Sequence, residues 1–507
     1  MDYTAENLTT KTVSGATWSA VARIGQQGVS LLATAILARL LQPSAYGLLG
    51  MATVVIGFIE IFKDLGTSLA LIQRRELTNE VISSVFWVNV LFGFLAASVT
   101  AGIAPLAAIF YGEPQVTPVM AVLSISFVVS SLSIVQQALL TREMAFNKLA
   151  RIELTSSVMG AIVGIAMAFS GAGVWSLVAL SLTGTITGTV LLWIVSRWRP
   201  RLYLGWNEIR SIGSFGINLT GFNVVNYFAR NADNLLIGRY LGATALGYYA
   251  LAYRLMLYPL QNISGVLGRV LFPAFASIQD DNARFRRAYL RACAIIAAVT
   301  FPLMLGMLIT AEPLVAAILG SRWMPVAPLL MILALVGMVQ SIATTVGHIY
   351  MAKGRTDWMF RWGMAASTLA VASFVVGLSW GIVGVAAAYG IVSLLLAYPN
   401  FAIPFRLIDL SVKDLVVSLW PVLRSSLIML SCVAILRIAL NWLGITQPWA
   451  MLGIMVTVGI IAYVVALVVS RSPALLDVLE LLPLRQVSWL QWIVAVMGLD
   501  TCHGNRL

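Results

Sequence analysis

Long apolar runs of about twenty residues, each closed by charge, glycine or proline, set the terms for this chain. Such a run makes one helical crossing of a bilayer core, at ~1.5 Å of rise per residue against a thickness of ~30 Å. Hydrocarbon offers no partner to a bare N–H or C=O, so spans are helices or closed barrel strands, and these runs have helix length. The spans fall at 14–38, 46–66, 82–104, 117–139, 152–170, 174–196, 211–238, 245–272, 290–310, 325–350, 359–378, 382–402, 424–441 and 449–470. Charged residues are 10% of the 507, against about 25% in a soluble domain, too few to cover a water-facing surface. The expected fold is an all-α polytopic membrane protein of about 14 transmembrane helices.

Charge orients the spans. Arg74 and Arg75; Arg142, Lys148 and Arg151; and Arg197, Arg199, Arg201 and Arg210 fill alternate loops. Arg284, Arg286, Arg287 and Arg291; Lys353, Arg355 and Arg361; Arg406 and Lys413; and Arg471 continue the series. The intervening loops at 105–116, 171–173, 311–324 and 442–448 are nearly bare. By the positive-inside rule the basic loops are cytoplasmic, and an even span count puts both termini there. The net charge of +12 is thus topology, and it gives no argument for a nucleic-acid partner. The acidic start at Asp2 and Glu6 lacks the basic, cleavable pattern of a signal peptide. Tryptophans, Trp323, Trp380, Trp442 and Trp449 among them, fall near span ends, as in an interfacial belt.

One stretch occurs twice. Residues 36–52 read ILARLLQPSAYGLLGMA and residues 236–252 read LIGRYLGATALGYYALA. At an offset of 200 they pair Arg39 with Arg239, Leu41 with Leu241, Ala45 with Ala245, Gly47 with Gly247 and Ala52 with Ala252. Six spans separate the copies, so both run in the same direction. The expected organisation is an N-lobe at 1–204 with spans 1–6, and a C-lobe at 205–408 with spans 7–12. Extra spans 13 and 14 follow at 409–470, then a cytoplasmic or interfacial tail at 471–507.

Polar side chains concentrate in the first, seventh and eighth spans. The seventh carries Asn223, Asn226, Arg230, Asp233 and Asn234 at helical spacing, one face of a helix. Subtracting 200 lands on the polar face of the first span, Arg23, Gln26, Ser30 and Thr34. The eighth adds Arg254, Tyr258, Gln261 and Asn262, with Arg269 near its inner end. An arginine at mid-membrane costs ~2.5–3.5 kcal/mol on insertion scales and normally faces a bundle interior or a wet cavity. The simplest arrangement has the two stripes facing one cavity between the lobes. Structural readings stand beside this one. Arg230 and Asp233 are three apart and can neutralise each other. Arg39 and Arg239 can snorkel at span ends, as can Glu60, Lys63 and Asp64. Arg269 can anchor topology, and Asn and Gln can join helices. Arg23 and Arg254 are hardest to explain so, since neither has an acid nearby in sequence. Cys293, Cys432 and Cys502 are scattered, and His348 and His503 are the only histidines, so neither a disulfide framework nor a metal cluster is expected.

The run from Asn231 to Gly242, followed by that from Ala245 to Arg254, resembles the polysaccharide-export, Wzx-like flippases, colanic-acid exporters above all. That family shares a superfamily with lipid II flippases and with multidrug and toxin extrusion antiporters. The resemblance implies two six-helix lobes and alternating access. It implies a substrate of undecaprenyl-diphosphate-linked oligosaccharide, moved from the cytoplasmic to the periplasmic leaflet of a bacterial inner membrane for exopolysaccharide, capsule or lipopolysaccharide biosynthesis. Partners would be that lipid-linked oligosaccharide, membrane lipids, and a polysaccharide polymerase and export complex. No cofactor and no bond chemistry are implied. Arg23 and Arg254 match, by position, the cationic cavity residues thought to engage the diphosphate. Gln26, Asn223, Asn226, Arg230, Tyr258 and Arg269 complete the candidate substrate site, and Asp233 is the candidate for ion coupling. An ion-coupled drug antiporter of the same superfamily is one alternative, though it would favour acids over arginines. A glycan polymerase or ligase is another, and it would need acid/base groups on outer loops that hold almost none.

Overall fold

The apolar runs form helices, as the need to satisfy every backbone group within hydrocarbon requires. The computed structural model describes residues 5–62, 68, 71, 72, 74, 77–203, 205 and 217–470, with backbone alone at 5–17, 19–21, 217–226, 229 and 261–274. Among the described residues every regular element is helical. In chain order the α-helices are α1 (Ala5–Leu40), α2 (Pro43–Glu60), α3 (Asn79–Tyr111), α4 (Val116–Ser131), α5 (Ile134–Arg142), α6 (Phe146–Phe169), α7 (Val174–Val195) and α8 (Ile217–Ser277). There follow α9 (Asn282–Leu314), α10 (Val326–Ala343), α11 (Val346–Ala352), α12 (Thr356–Gly377), α13 (Gly381–Phe405), α14 (Val412–Trp442) and α15 (Pro448–Val469).

Nine helices among the described residues are long and apolar enough to cross a membrane, ten with the bent pair α4–α5. One of the nine, Thr356–Phe405, joins α12 and α13 and so holds two expected spans. The more polar α1 carries the first span, and α8 carries the seventh and eighth on either side of Gly242 (φ 82°, ψ 177°).

The chain divides into two compact units, Met1–Ala250 and Leu251–Leu507. In the first, α6 packs on α1 and α7, α3 on α4, and α2 against α3, α4 and α7. In the second, α9 packs on α10, α14 and α15, and α13 on α10 and α12.

Several helix limits differ from the sequence expectation. The nearly bare segment 105–116 is helical as far as Tyr111, with Pro105 inside α3 and Gly112 (φ 72°) ending it. A left-handed terminal residue is the ordinary glycine stop. The fourth span is bent by 42° between α4 and α5, with neither glycine nor proline at the break. Side chains of α7 occupy carbonyls at the bend: Thr189 Oγ1 donates to the Val129 oxygen at 3.1 Å, and Trp193 Nε1 to that of Leu132 at 2.9 Å. At the start of α14, Asp414 N donates to Ser411 Oγ at 3.1 Å and Ser411 N to the Asp414 carboxylate at 3.2 Å, a reciprocal cap. The Ser411 side chain and backbone donors hold the Asp414 carboxyl below the usual carboxylate range. Trp323 is fully buried rather than placed in an interfacial belt, whereas Trp380, Trp442 and Trp449 are exposed.

The sequence repeat is visible in the backbone. The first copy breaks helix at Leu41 and Gln42, between α1 and α2, and the second breaks at Gly242, 200 residues on. Ala52 and Ala252 are both completely buried. The copies also meet. A Cβ added to Gly47 would lie 1.7 Å from the Ala243 oxygen, and one added to Gly247 would lie 2.0 Å from the Pro43 oxygen. Positions 43 and 243, like 47 and 247, are repeat equivalents, so this is a reciprocal crossing of α2 with the second arm of α8. Only glycine lets two backbones come so close.

Candidate substrate site

On α1, Arg23 is exposed and Gln26 half-buried. Gln26 Nε2 donates to Glu153 Oε2 of α6 at 3.4 Å, and the Arg23 charge acts on the same carboxylate. The two helices are close here: a Cβ on Gly25 would lie 3.1 Å from Leu154 Cδ1. One turn towards the N-terminal ends of α1 and α6, the Arg151 guanidinium stacks 5.7 Å from the Trp18 ring centroid. The first polar stripe therefore has an acid beside it that its own sequence neighbourhood lacks. Reading ionisable residues into the first, seventh and eighth spans alone passes over Glu153. It also passes over Arg437 of α14, which pairs with Glu312 Oε2 and donates through Nη1 to the Ile309 oxygen at 3.2 Å. That pair ties an extra span to α9 inside the second unit.

On the first arm of α8, Asp233 is 3% exposed while Arg230 is exposed. Tyr249 OH donates to Asp233 Oδ2 at 3.0 Å, and Asn234 N donates to Oδ1 at 2.8 Å. Among the described residues no ion pair joins Arg230 to Asp233. The carboxylate instead bridges the arm before Gly242 to the arm after it. Asn234 Oδ1, next in the chain, is buried without a hydrogen-bond partner. Tyr227 OH donates to the Val54 oxygen of α2 at 2.7 Å, and Phe228 packs on Phe58 with ring centroids 5.0 Å apart.

In the second unit, Arg254 lies over the Tyr258 ring, 5.8 Å from its centroid, one turn along the same helix. The side chains of Asn223, Asn226 and Arg269 lie outside the described residues; their backbone belongs to α8. Two sequence-predicted pairs are thus adjacent, Arg23 with Gln26 and Arg254 with Tyr258. Glu153 and Tyr249 are the partners sequence reasoning missed. Glu153 stands 127 residues from Gln26, and Tyr249 looks like ordinary apolar filling of the eighth span.

Sparse arginine, amide and carboxylate groups on a bundle of apolar helices define a multi-span membrane protein. More particularly, the chain belongs to the polysaccharide biosynthesis protein family, whose model matches residues 36–328, more than half its length. It is 29% identical over 480 residues to the lipopolysaccharide biosynthesis protein WzxC of Escherichia coli (strain K12), covering 93% of this chain and 96% of the relative. The teichuronic acid biosynthesis protein TuaB of Bacillus subtilis (strain 168) is 28% identical over 391 residues, covering 76% and 81%. In fold the chain is similar to the lipid II flippase MurJ in an inward closed conformation, with a TM-score of 0.68 at 16% identity, covering 88% of this chain and 97% of that one. An inward-facing multidrug transporter of the MATE family gives a TM-score of 0.61 at 15% identity, covering 77% and 98%.

Proposed function

We propose that this protein moves polyprenyl-diphosphate-linked oligosaccharide repeat units from the cytoplasmic to the periplasmic leaflet of a bacterial inner membrane by alternating access, for polysaccharide biosynthesis. The observation that carries this reading is the match to a relative named for lipopolysaccharide biosynthesis over nearly the full length of both chains. The chemistry agrees. A diphosphate with a sugar head cannot cross hydrocarbon unaided, because unpaired charge and hydroxyls are too costly there. Guanidinium and amide donors replace the lost hydration with charge-assisted hydrogen bonds. Arg23 with Gln26, and Arg254 with Tyr258, supply such donors; Arg230, Asn223, Asn226 and Arg269 extend the polar faces. Six-helix lobes at 1–204 and 205–408 perform the cycle. Asp233 offers a hard carboxylate oxygen to a coupling cation.

Lysine keeps the charge of arginine but loses the fork that matches two phosphate oxygens. Arg23→Lys and Arg254→Lys are therefore expected to support partial polymer export in a strain lacking the native gene. Arg23→Ala and Arg254→Ala should support none, at unchanged membrane abundance. Full export by both alanine variants at normal abundance would remove these arginines from the diphosphate site.

Orientation has its own test. In a cysteine-free background, Glu113→Cys, Gly171→Cys and Gln447→Cys should react with an impermeant maleimide in intact cells. Lys148→Cys, Arg201→Cys and Lys353→Cys should react only after lysis. Outside labelling at position 201 would break the scheme of two parallel lobes.

A further inference from the structure

Glu153 is an acid on a membrane-crossing helix that the cycle described so far leaves without a task. It lies seven residues into α6, or ~10 Å along the axis from the cytoplasmic end in the proposed orientation. Arg23 lies fifteen residues before the outer end of its span at Ala38, or ~22 Å down a core of ~30 Å. Both groups therefore stand in the cytoplasmic half of their spans, the side from which a lipid headgroup arrives. The carboxylate accepts from Gln26 and feels the Arg23 charge, yet among the described residues Arg23 closes no ion pair with it. Both Arg23 and Glu153 are exposed.

We propose that Glu153 is a placeholder for the diphosphate of the lipid-linked substrate: it offsets Arg23 and engages Gln26 while the site is empty, and it opposes the diphosphate once the site is loaded. This rests on the flippase reading, with Arg23 as a phosphate contact. An intramembrane arginine is costly without a counter-charge, and a nearby carboxylate lowers that cost in the unloaded protein. The same carboxylate repels an arriving diphosphate and weakens its binding. A carrier gains from that, because a substrate held too tightly is not released across the membrane.

The probe is undecaprenyl diphosphate without sugar, titrated against purified full-length protein in nanodiscs of zwitterionic lipid. Glu153→Gln should bind it about tenfold more tightly, within the usual range of coupling between two charged sites, and should export polymer more slowly in cells. In an Arg23→Ala background the gain from Glu153→Gln should be smaller, because only the direct repulsion of the diphosphate is then relieved. Glu153→Asp, which keeps the charge, should bind as the wild type does. A misfolded variant cannot gain affinity, so the expected result is not mimicked by damage. If Glu153→Gln binds the probe no better, or worse, while Arg23→Ala weakens binding, the placeholder role is refuted and the flippase reading stands. If Arg23→Ala leaves binding intact, the diphosphate reading of Arg23 fails and the placeholder falls with it. Phosphatidylglycerol and inorganic pyrophosphate are the controls. An equal gain for either in Glu153→Gln would mark a general anion site and overturn the assignment to a polyprenyl diphosphate.

Discussion

Gly47→Val and Gly247→Val are each expected to lower the melting temperature of the purified protein by several degrees, and the double variant by little more than either alone. At each position a Cβ would land within 2.0 Å of a carbonyl oxygen of the opposing backbone, and a backbone atom cannot swing away as a side-chain tip can. The strands of chain must part, and overpacking of this kind typically costs about 1–3 kcal/mol. Because Gly47 faces Ala243 and Gly247 faces Pro43, one separation of α2 from the second arm of α8 relieves both clashes. Two substitutions that share one relaxation are not additive. Gly50 provides the control: its added Cβ would meet only the Leu246 side chain, at 3.2 Å, so Gly50→Ala should cost much less. Export should fall in parallel, since an altered crossing displaces the first turn of α2. Independent, fully additive losses at 47 and 247 would contradict a single reciprocal crossing.

That crossing also marks what could be read from sequence. The repeat was legible because Gly47 and Gly247, with their neighbours, recur at a fixed offset, and the offset reappears as equivalent helix breaks at 42 and 242. The spans were legible because hydrocarbon enforces a length and a composition. Their ends were less so. Pro105 reads as a terminator in water, yet α3 continues past it to Gly112. The bend in the fourth span has neither proline nor glycine to announce it; its local signal is the serines at 130, 131 and 133, whose hydroxyls turn back onto carbonyls one turn earlier, and Thr189 and Trp193 of α7 take further carbonyls there. The site divides in the same way. Arg23 and Arg254 declare themselves, since charge in an apolar run needs a reason. Glu153 does not, because it sits at a span end where an acid is unremarkable and its partner lies on α1. Helical spacing suggested that Arg230 answers Asp233, but spacing places groups on one face without settling which neighbour they choose. Asp233 is buried against Tyr249 across the break at Gly242, a contact that only the folding back of α8 creates.

Asp233→Asn should leave abundance and folding close to wild type and reduce polymer export at least tenfold. The amide matches the carboxylate in shape: its oxygen can accept from the Asn234 N–H, and its NH2, standing where the other oxygen was, can donate to the Tyr249 hydroxyl oxygen, so the bridge across Gly242 survives. What it loses is the negative charge on which the proposed coupling to a cation depends. Asp233→Leu separates the two roles. It leaves the completely buried Tyr249 hydroxyl without its carboxylate acceptor, at a cost of about 1–3 kcal/mol, and folded protein itself should decline. Tyr249→Phe removes the donor but keeps the charge, so export should persist, with a shifted dependence on cation concentration. Adding Arg230→Gln to Asp233→Asn should not restore export, because exposed Arg230 forms no ion pair with Asp233 among the described residues. Rescue by that double variant would reinstate mutual neutralisation and dismiss coupling at this carboxylate. Normal export by Asp233→Asn alone would reduce Asp233 to a structural brace between the two arms of α8.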